Sequence, residues 1–188
     1  MKVAAAKLSP LLKSDAQGLI LAEIFMNADE LFSISHLAEF AGTRGRLQRR
    51  EGPKGALVLD DSYNANPDSV RAGIDVLASM PGHTWLVLGD MGEVGDQSDE
   101  YHAEVGHFAK QVGVTSLFAL GEATPHTVRA FGEGAHHFNT IDELIDHTMS
   151  TTSQDHWSVL VKGSRFMKME RVVQALVQHY AAEAKHAS

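Results

Sequence analysis

Apolar residues fall along this chain in two regimes, and the change comes near residue 44. Before it, Leu19, Ile20, Ala22, Ile24 and Phe25, then Leu31, Ile34, Leu37, Ala38 and Phe40, recur at helical spacing. No strand or glycine-loop signal interrupts them, so the spacing predicts two or three short helices over 1–43. From Arg44 the pattern becomes strand, loop, helix, repeated. Segments 46–51 and 56–60 flank Gly52-Pro53-Lys54-Gly55, a turn signal that predicts a hairpin. A helix over 67–80 and a strand over 85–89 follow. The next helix, 98–112, carries Tyr101, Val105, Phe108 and Val112 on one face. Then come a strand over 116–120, a short helix capped by Thr124-Pro125, and a strand over 136–138. Thr140-Ile141-Asp142-Glu143 is a capping-box pattern that opens another helix. A last strand over 158–162 leads to a last helix over 166–182. This alternation predicts an α/β fold, Rossmann-like, with an open and mostly parallel sheet, helices on both faces and a short helical N-terminal segment in front.

Candidate chemistry gathers where strands hand over to helices. The apolar run Ala56-Leu57-Val58-Leu59 leads into Asp60-Asp61-Ser62-Tyr63-Asn64-Ala65-Asn66-Pro67-Asp68-Ser69. Asn66-Pro67 is a strong helix start, because Asn caps free N–H groups and Pro suits the first helical position. In open α/β sheets this edge is where ligands bind. Asp61 suits ribose hydroxyls, Asn64 and Asn66 suit amides or carboxylates, and Tyr63 offers an apolar face with a polar tip. A capped loop with no ligand accounts for the same residues. Arg46 sits in a basic run with Arg44, Arg49 and Arg50, which reads either as phosphate recognition or as a solvated, steering face. Lys162-Gly163-Ser164-Arg165 again joins a strand to a helix and suits an anionic group such as a carboxylate, or merely offsets nearby acids.

Other patterns narrow the field. Gly89, Gly92 and Gly95 recur at every third position, which matches neither the dinucleotide fingerprint nor a P-loop. His136 and His137 are adjacent and face opposite sides of a strand; His102 and His107 are five apart, and no His-Glu-x-x-His occurs, so no metal site is expected. Gly-x-Ser-x-Gly is absent, which removes support for a serine hydrolase. The 188 residues, 44% hydrophobic and 21% charged, suit one soluble domain with an appendage. A net charge of −8 disfavours binding to nucleic acid or to anionic membranes. No cysteine is present, which rules out disulfides and thiolate metal sites. Met1-Lys2-Val3-Ala4-Ala5-Ala6-Lys7 hints at a signal start, but Ser9-Pro10 through Asp15 breaks any apolar core, so a cytoplasmic chain is expected.

Four ordered segments resemble the C-terminal domain of the Mur ligases: Gly45-Arg46-Leu47-Gln48, the 60–69 loop, Val87-Leu88-Gly89-Asp90-Met91-Gly92-Glu93-Val94-Gly95, and Val161-Lys162-Gly163-Ser164-Arg165-Phe166-Met167-Lys168-Met169-Glu170-Arg171. The resemblance covers roughly 44–178, and is greatest to members that add D-alanyl-D-alanine to UDP-N-acetylmuramoyl-tripeptide. It implies a helical remnant of a central ATPase domain over 1–43, with 28–43 the part that matches, and a C-terminal ligase domain over 44–188. It implies an ATP-dependent amide-bond-forming ligase working through an acyl phosphate, with Mg2+ held mostly by the central domain. The matching residues imply Arg46 against the ATP phosphates and Asp61 against the ribose. They also imply Tyr63, Asn64 and Asn66 near the incoming amine, with Lys162, Ser164 and Arg165 bordering its pocket. His102 has a structural part in this pattern. No Gly-Lys-Thr/Ser loop is present, so this piece alone is expected to be catalytically inactive; it is also expected to be a monomer. A folylpolyglutamate-type relative and a stand-alone nucleotide- or peptide-binding module stay open as alternatives.

Overall fold

In the computed structural model the chain is described over residues 47–92, 94–152 and 156–186. The helices expected over 1–43, the boundary at 43/44, and Arg46 lie outside the described residues. Six strands form one sheet: β1 (Gln48–Glu51), β2 (Leu57–Asp61), β3 (His83–Gly89), β4 (Ser116–Leu120), β5 (Ala135–Phe138) and β6 (Trp157–Lys162). Their spatial order is β1-β2-β6-β3-β4-β5. Only β1 runs antiparallel, pairing Gln48 with Asp60 as the predicted hairpin; the other neighbours are parallel. The open, mostly parallel sheet predicted from the alternation is therefore present. β6 enters last yet lies between β2 and β3, and all six of its residues are buried. A mostly apolar run, Trp157 to Val161 with one serine, suits that central position.

Among the described residues five helices cover the sheet: α1 (Pro67–Ala78), α2 (Ser98–Gln111), α3 (Thr124–Phe131), α4 (Ile141–Thr151) and α5 (Glu170–His186). On one face Val70, Ile74 and Leu77 of α1, Val105 and Ala109 of α2, and Phe131 of α3 pack on Leu59, Leu86, Leu88, Leu117 and Leu160. On the other, Leu144 of α4 and Val172, Val173 and Leu176 of α5 pack on Val58, Val87, Val159 and Val161. Period-two alternation along each strand sorts these residues to their faces. Trp85 and Trp157 stack there at 4.5 Å.

Two helix starts follow the local sequence. Asn66 and Ser69 form a reciprocal capping box with Pro67 in the first turn, and Thr140 and Glu143 form another. Two do not. Thr124 does not cap α3 with its side chain; a carboxylate from β3's loop does so, as described below. The helix expected over 166–182 is interrupted at its start: Arg165–Met167 is a short 3-10 turn, Lys168 is left-handed (φ 52°), and α5 begins at Glu170. The detour drives Met169 fully into the core, against Gly89 and Gly163. A side chain at Gly163 would collide with Met169, and one at Gly89 would crowd it.

His147 of α4 lies 4.9 Å from the Phe118 ring and 5.0 Å from those of Phe138 and His136. Burial, and then His136, push its pKa down from 6.5. The unfolded chain therefore takes this proton before the folded one does, and stability falls as pH drops below about 6.5. Urea unfolding between pH 8 and 5.5 should show this loss, and His147→Gln should make it smaller. An equal loss in the variant would assign it to other histidines.

Candidate functional site

The parallel strands bring the ends of β2, β3, β4 and β6 to one edge, and their following loops meet there. Asp61, last in β2, pairs in register with Lys162, last in β6. Lys162 Nζ donates to Asp61 Oδ2 at 2.6 Å and to the Asn64 carbonyl at 3.0 Å. Asp61 Oδ1 accepts from the Leu47 N–H at 3.1 Å. The Lys162 side chain is 2% exposed and that of Asp61 15%. Burial pushes the Asp61 carboxyl up from its ordinary value, while Lys162 and the Leu47 N–H pull it back. Lys162 thus faces its own domain's carboxylate, in place of the open basic loop that its sequence context suggested.

Ser164 ties three loops together. Its N–H donates to the Asp90 carbonyl at 3.0 Å, and its Oγ donates to the Ala65 carbonyl at 3.3 Å and accepts from the Gly92 N–H at 2.5 Å. His102 of α2, fully buried, holds the same loop from below. Its Nε2 accepts from the Met91 N–H at 3.0 Å, and its Nδ1–H donates to the Ser98 carbonyl at 2.7 Å, which fixes the tautomer. Asp90 Oδ1, 3.9 Å from that Nε2, is therefore not its hydrogen-bond partner.

The Asp90 carboxylate instead caps α3. It accepts from the N–H groups of Glu122 (2.8 Å), Ala123 (3.1 Å) and Thr124 (3.0 Å). These are the orphan donors of a helix start, and a carboxylate there also meets the favourable end of the helix dipole. Gly121 must be glycine, since its φ is 135° and a side chain would overlap the carboxylate. Nothing local in the sequence marks this contact, which spans 32 to 34 residues.

The predicted residues thus separate into two groups. Lys162 and Ser164 direct their polar atoms into the domain, Asn66 Oδ1 caps α1, and Asp61 lies beside them with a small exposed remainder. Tyr63 (42% exposed), Asn64 and Arg165 stand outward. Asn64 Oδ1 accepts from the Ala65 N–H at 2.9 Å. Arg165 bonds Glu170 at 2.9 Å and lies 6.0 Å from the Tyr63 ring. Tyr63 and Arg165 border an open groove of about 550 Å3, which also takes in Arg50, Asp60, Ser62 and Glu170. Sequence reasoning gave none of these four a role of its own, although Arg50 stood in the basic run, Asp60 and Ser62 in the 60–69 loop and Glu170 in the last motif. Asp60 was the available signal, because strand alternation turns it to the face opposite Asp61. Among the described residues no three His, Cys, Asp or Glu side chains gather as a metal cage. No described helix is long and apolar enough to cross a membrane.

Comparison with known proteins gives a consistent pattern. The profile of the family "Mur ligase, glutamate ligase domain" matches residues 45–165. The UDP-N-acetylmuramoyl-tripeptide–D-alanyl-D-alanine ligase of Escherichia coli is 38% identical over 143 residues, covering 76% of this chain and 32% of that protein. The structure of MurF from Acinetobacter baumannii superposes with a TM-score of 0.68 at 28% identity, covering 87% of this chain and 36% of that one. MurF ligase from Thermotoga maritima, solved with ADP, gives 0.66 at 26% identity, covering 87% and 37%. The chain spans about a third of the length of the curated relatives it matches.

Asp90→Ala should lower unfolding stability by about 1–2 kcal/mol, since three N–H groups at the start of α3 lose their acceptor. Asp90→Asn, which keeps one acceptor oxygen, should lose less. Chemical denaturation of the two variants checks the order; equal stability of Asp90→Ala and the parent would refute the cap.

Proposed function

The chain belongs to the Mur ligase family through its glutamate ligase domain, and from that premise we propose that it is the C-terminal domain of an ATP-dependent ligase. The reaction joins D-alanyl-D-alanine to UDP-N-acetylmuramoyl-tripeptide during peptidoglycan synthesis in the cytoplasm. The observation that carries the reading is the exposed set Tyr63, Asn64 and Arg165, mounted on loops that Lys162, Ser164 and Asn66 tie down. A rigid edge with outward polar groups suits a domain that presents one substrate to chemistry assembled elsewhere. The names borne by its relatives supply the substrates.

In this reading the tripeptide carboxylate takes the γ-phosphoryl group of ATP, releasing ADP. The dipeptide amine attacks the acyl carbon, loses its proton and expels phosphate as the amide forms. Arg46 would meet the ATP phosphates and Asp61 the ribose hydroxyls. Asp61 can do so because a carboxylate offers about four acceptor sites, and two are in use here. Tyr63, Asn64 and Arg165 would touch the dipeptide, while Asn66, Lys162 and Ser164 hold those residues in place. The described residues do not fit Mg2+ by themselves; the cation would lie with the central domain and neutralise phosphate charge there.

The test is ligation by this domain joined to the rest of its ligase. The isolated chain should show no ATP-dependent ligation, and the joined enzyme should use D-alanyl-D-alanine. Arg165→Ala should raise KM for the dipeptide about tenfold, the loss of one charged hydrogen bond, with KM for ATP unchanged. Ligation by the isolated chain, or preference for a different amine such as glutamate, would refute the reading.

A further inference from the structure

One buried histidine acts at a distance, in a way that rests on the ligase reading and deepens it. We propose that His102 is a positioning residue for the reaction: through a one-way chain of hydrogen bonds it fixes the turn that presents Tyr63 and Asn64 to the incoming amine.

The chain begins in α2. His102 Nδ1–H donates to the Ser98 carbonyl at 2.7 Å, so Nε2 keeps its lone pair and accepts from the Met91 N–H at 3.0 Å. The next N–H along, that of Gly92, donates to Ser164 Oγ at 2.5 Å, and this hydroxyl donates in turn to the Ala65 carbonyl at 3.3 Å. The three long links span 11, 72 and 99 residues, so one imidazole in α2 reaches the loops after β3, β6 and β2. Bonds in such a buried series polarise one another. The far end is the functional one. Ala65, 2% exposed, closes the turn that leaves Tyr63 and Asn64 outside. Its carbonyl takes the Ser164 hydroxyl, and its N–H takes Asn64 Oδ1 at 2.9 Å. The place of the Asn64 side chain therefore depends on where Ser164 holds Ala65.

The middle of the chain has little slack. The Asp90 carbonyl accepts from the Ser164 N–H at 3.0 Å, so the loop after β3 is clasped to Ser164 on both sides of Met91. A Cβ at Gly92 would come within 2.9 Å of the Phe166 ring and 3.2 Å of Ser164 Oγ. A shift of Met91 is therefore passed on to Ser164. Volume alone does not call for histidine at the head of the chain. A leucine would suit a fully buried position, but it would leave the Met91 N–H without an acceptor. The Asp90 carboxylate is no substitute, because its Oδ1 already takes the Ala123 and Thr124 N–H groups. An imidazole donates at one nitrogen and accepts at the other across a rigid ring, which sets the distance between α2 and the loop.

Two measurements test this, on His102→Leu and His102→Gln. In the domain joined to the rest of its ligase, His102→Leu should raise KM for D-alanyl-D-alanine about fivefold, the loss of one buried hydrogen bond, with KM for ATP unchanged. His102→Gln, whose carboxamide oxygen can accept from the Met91 N–H, should recover most of that loss. A parental dipeptide KM in folded His102→Leu overturns the proposal. So does an equal rise in both KM values, the mark of a general loosening. Amide hydrogen exchange in the 188-residue chain reads the bonds without catalysis. His102→Leu should speed exchange at Gly92 and Ala65 at least about fivefold, with the β6 amides at the parent's rate. Unchanged exchange at Gly92 and Ala65 also overturns the proposal. Where His102→Leu does not fold, Ser164→Ala, which cuts the last link, replaces it in both measurements. If exchange responds as expected but the joined parent enzyme does not ligate D-alanyl-D-alanine, the ligase reading fails and takes the positioning role with it, while the chain of bonds stands.

Discussion

The carboxyl edge of the sheet depends on one buried ion pair, Asp61 with Lys162. The two residues end adjacent parallel strands in register, and their charged atoms meet at 2.6 Å with Lys162 almost wholly out of water. Such a pair stabilises only when its remaining hydrogen-bonding capacity is also met, because desolvation of both ions opposes the attraction. Here the Leu47 N–H and the Asn64 carbonyl meet part of it. The pair therefore does more than join β2 to β6. It fixes the point where β1 enters the sheet, with Leu47 in a left-handed conformation (φ 42°), and it holds the backbone of the loop that exposes Tyr63 and Asn64.

Around that pair the other polar ties form a consistent set. Ser164 joins three loops, His102 supports one of them from the core, and Asp90 caps α3 from across the sheet edge. Each uses a polar side chain to satisfy backbone groups that a buried loop would otherwise leave unpaired. The consequence for function is a division of labour. The inward polar residues give the edge its shape, and in the proposed reading the outward ones are left for a ligand. Under the proposed function, a domain organised this way would carry its substrate as a rigid body to chemistry assembled with the other domains.

Much of the fold was legible because its signals are local. The strand runs, the Asn66 and Thr140 caps and the Gly52–Gly55 turn act over a few residues, and each stands where the sequence put it. Membership of the Mur ligase family was legible too, from four ordered motifs. Individual roles were harder. Lys162 and Arg165 are three apart in one motif, yet one is buried against Asp61 and the other open. The difference comes from β6 lying central in the sheet, which no local pattern shows. The capping of α3 by Asp90 and the insertion of Met169 between two glycines are likewise products of sheet order. Asp60 and Asp61 could be told apart only once the strand end was placed, because one residue reverses the face.

The most direct test is a double-mutant cycle on the pair, with Asp61→Leu, Lys162→Met and the double variant compared by urea unfolding. Removing either partner alone should cost about 3 kcal/mol or more, because the other charge is left buried. The double variant should recover a good part of that loss, giving a coupling of at least about 1 kcal/mol. Additive losses with no coupling would contradict the account, and would mean that the carboxyl edge takes its shape without this ion pair.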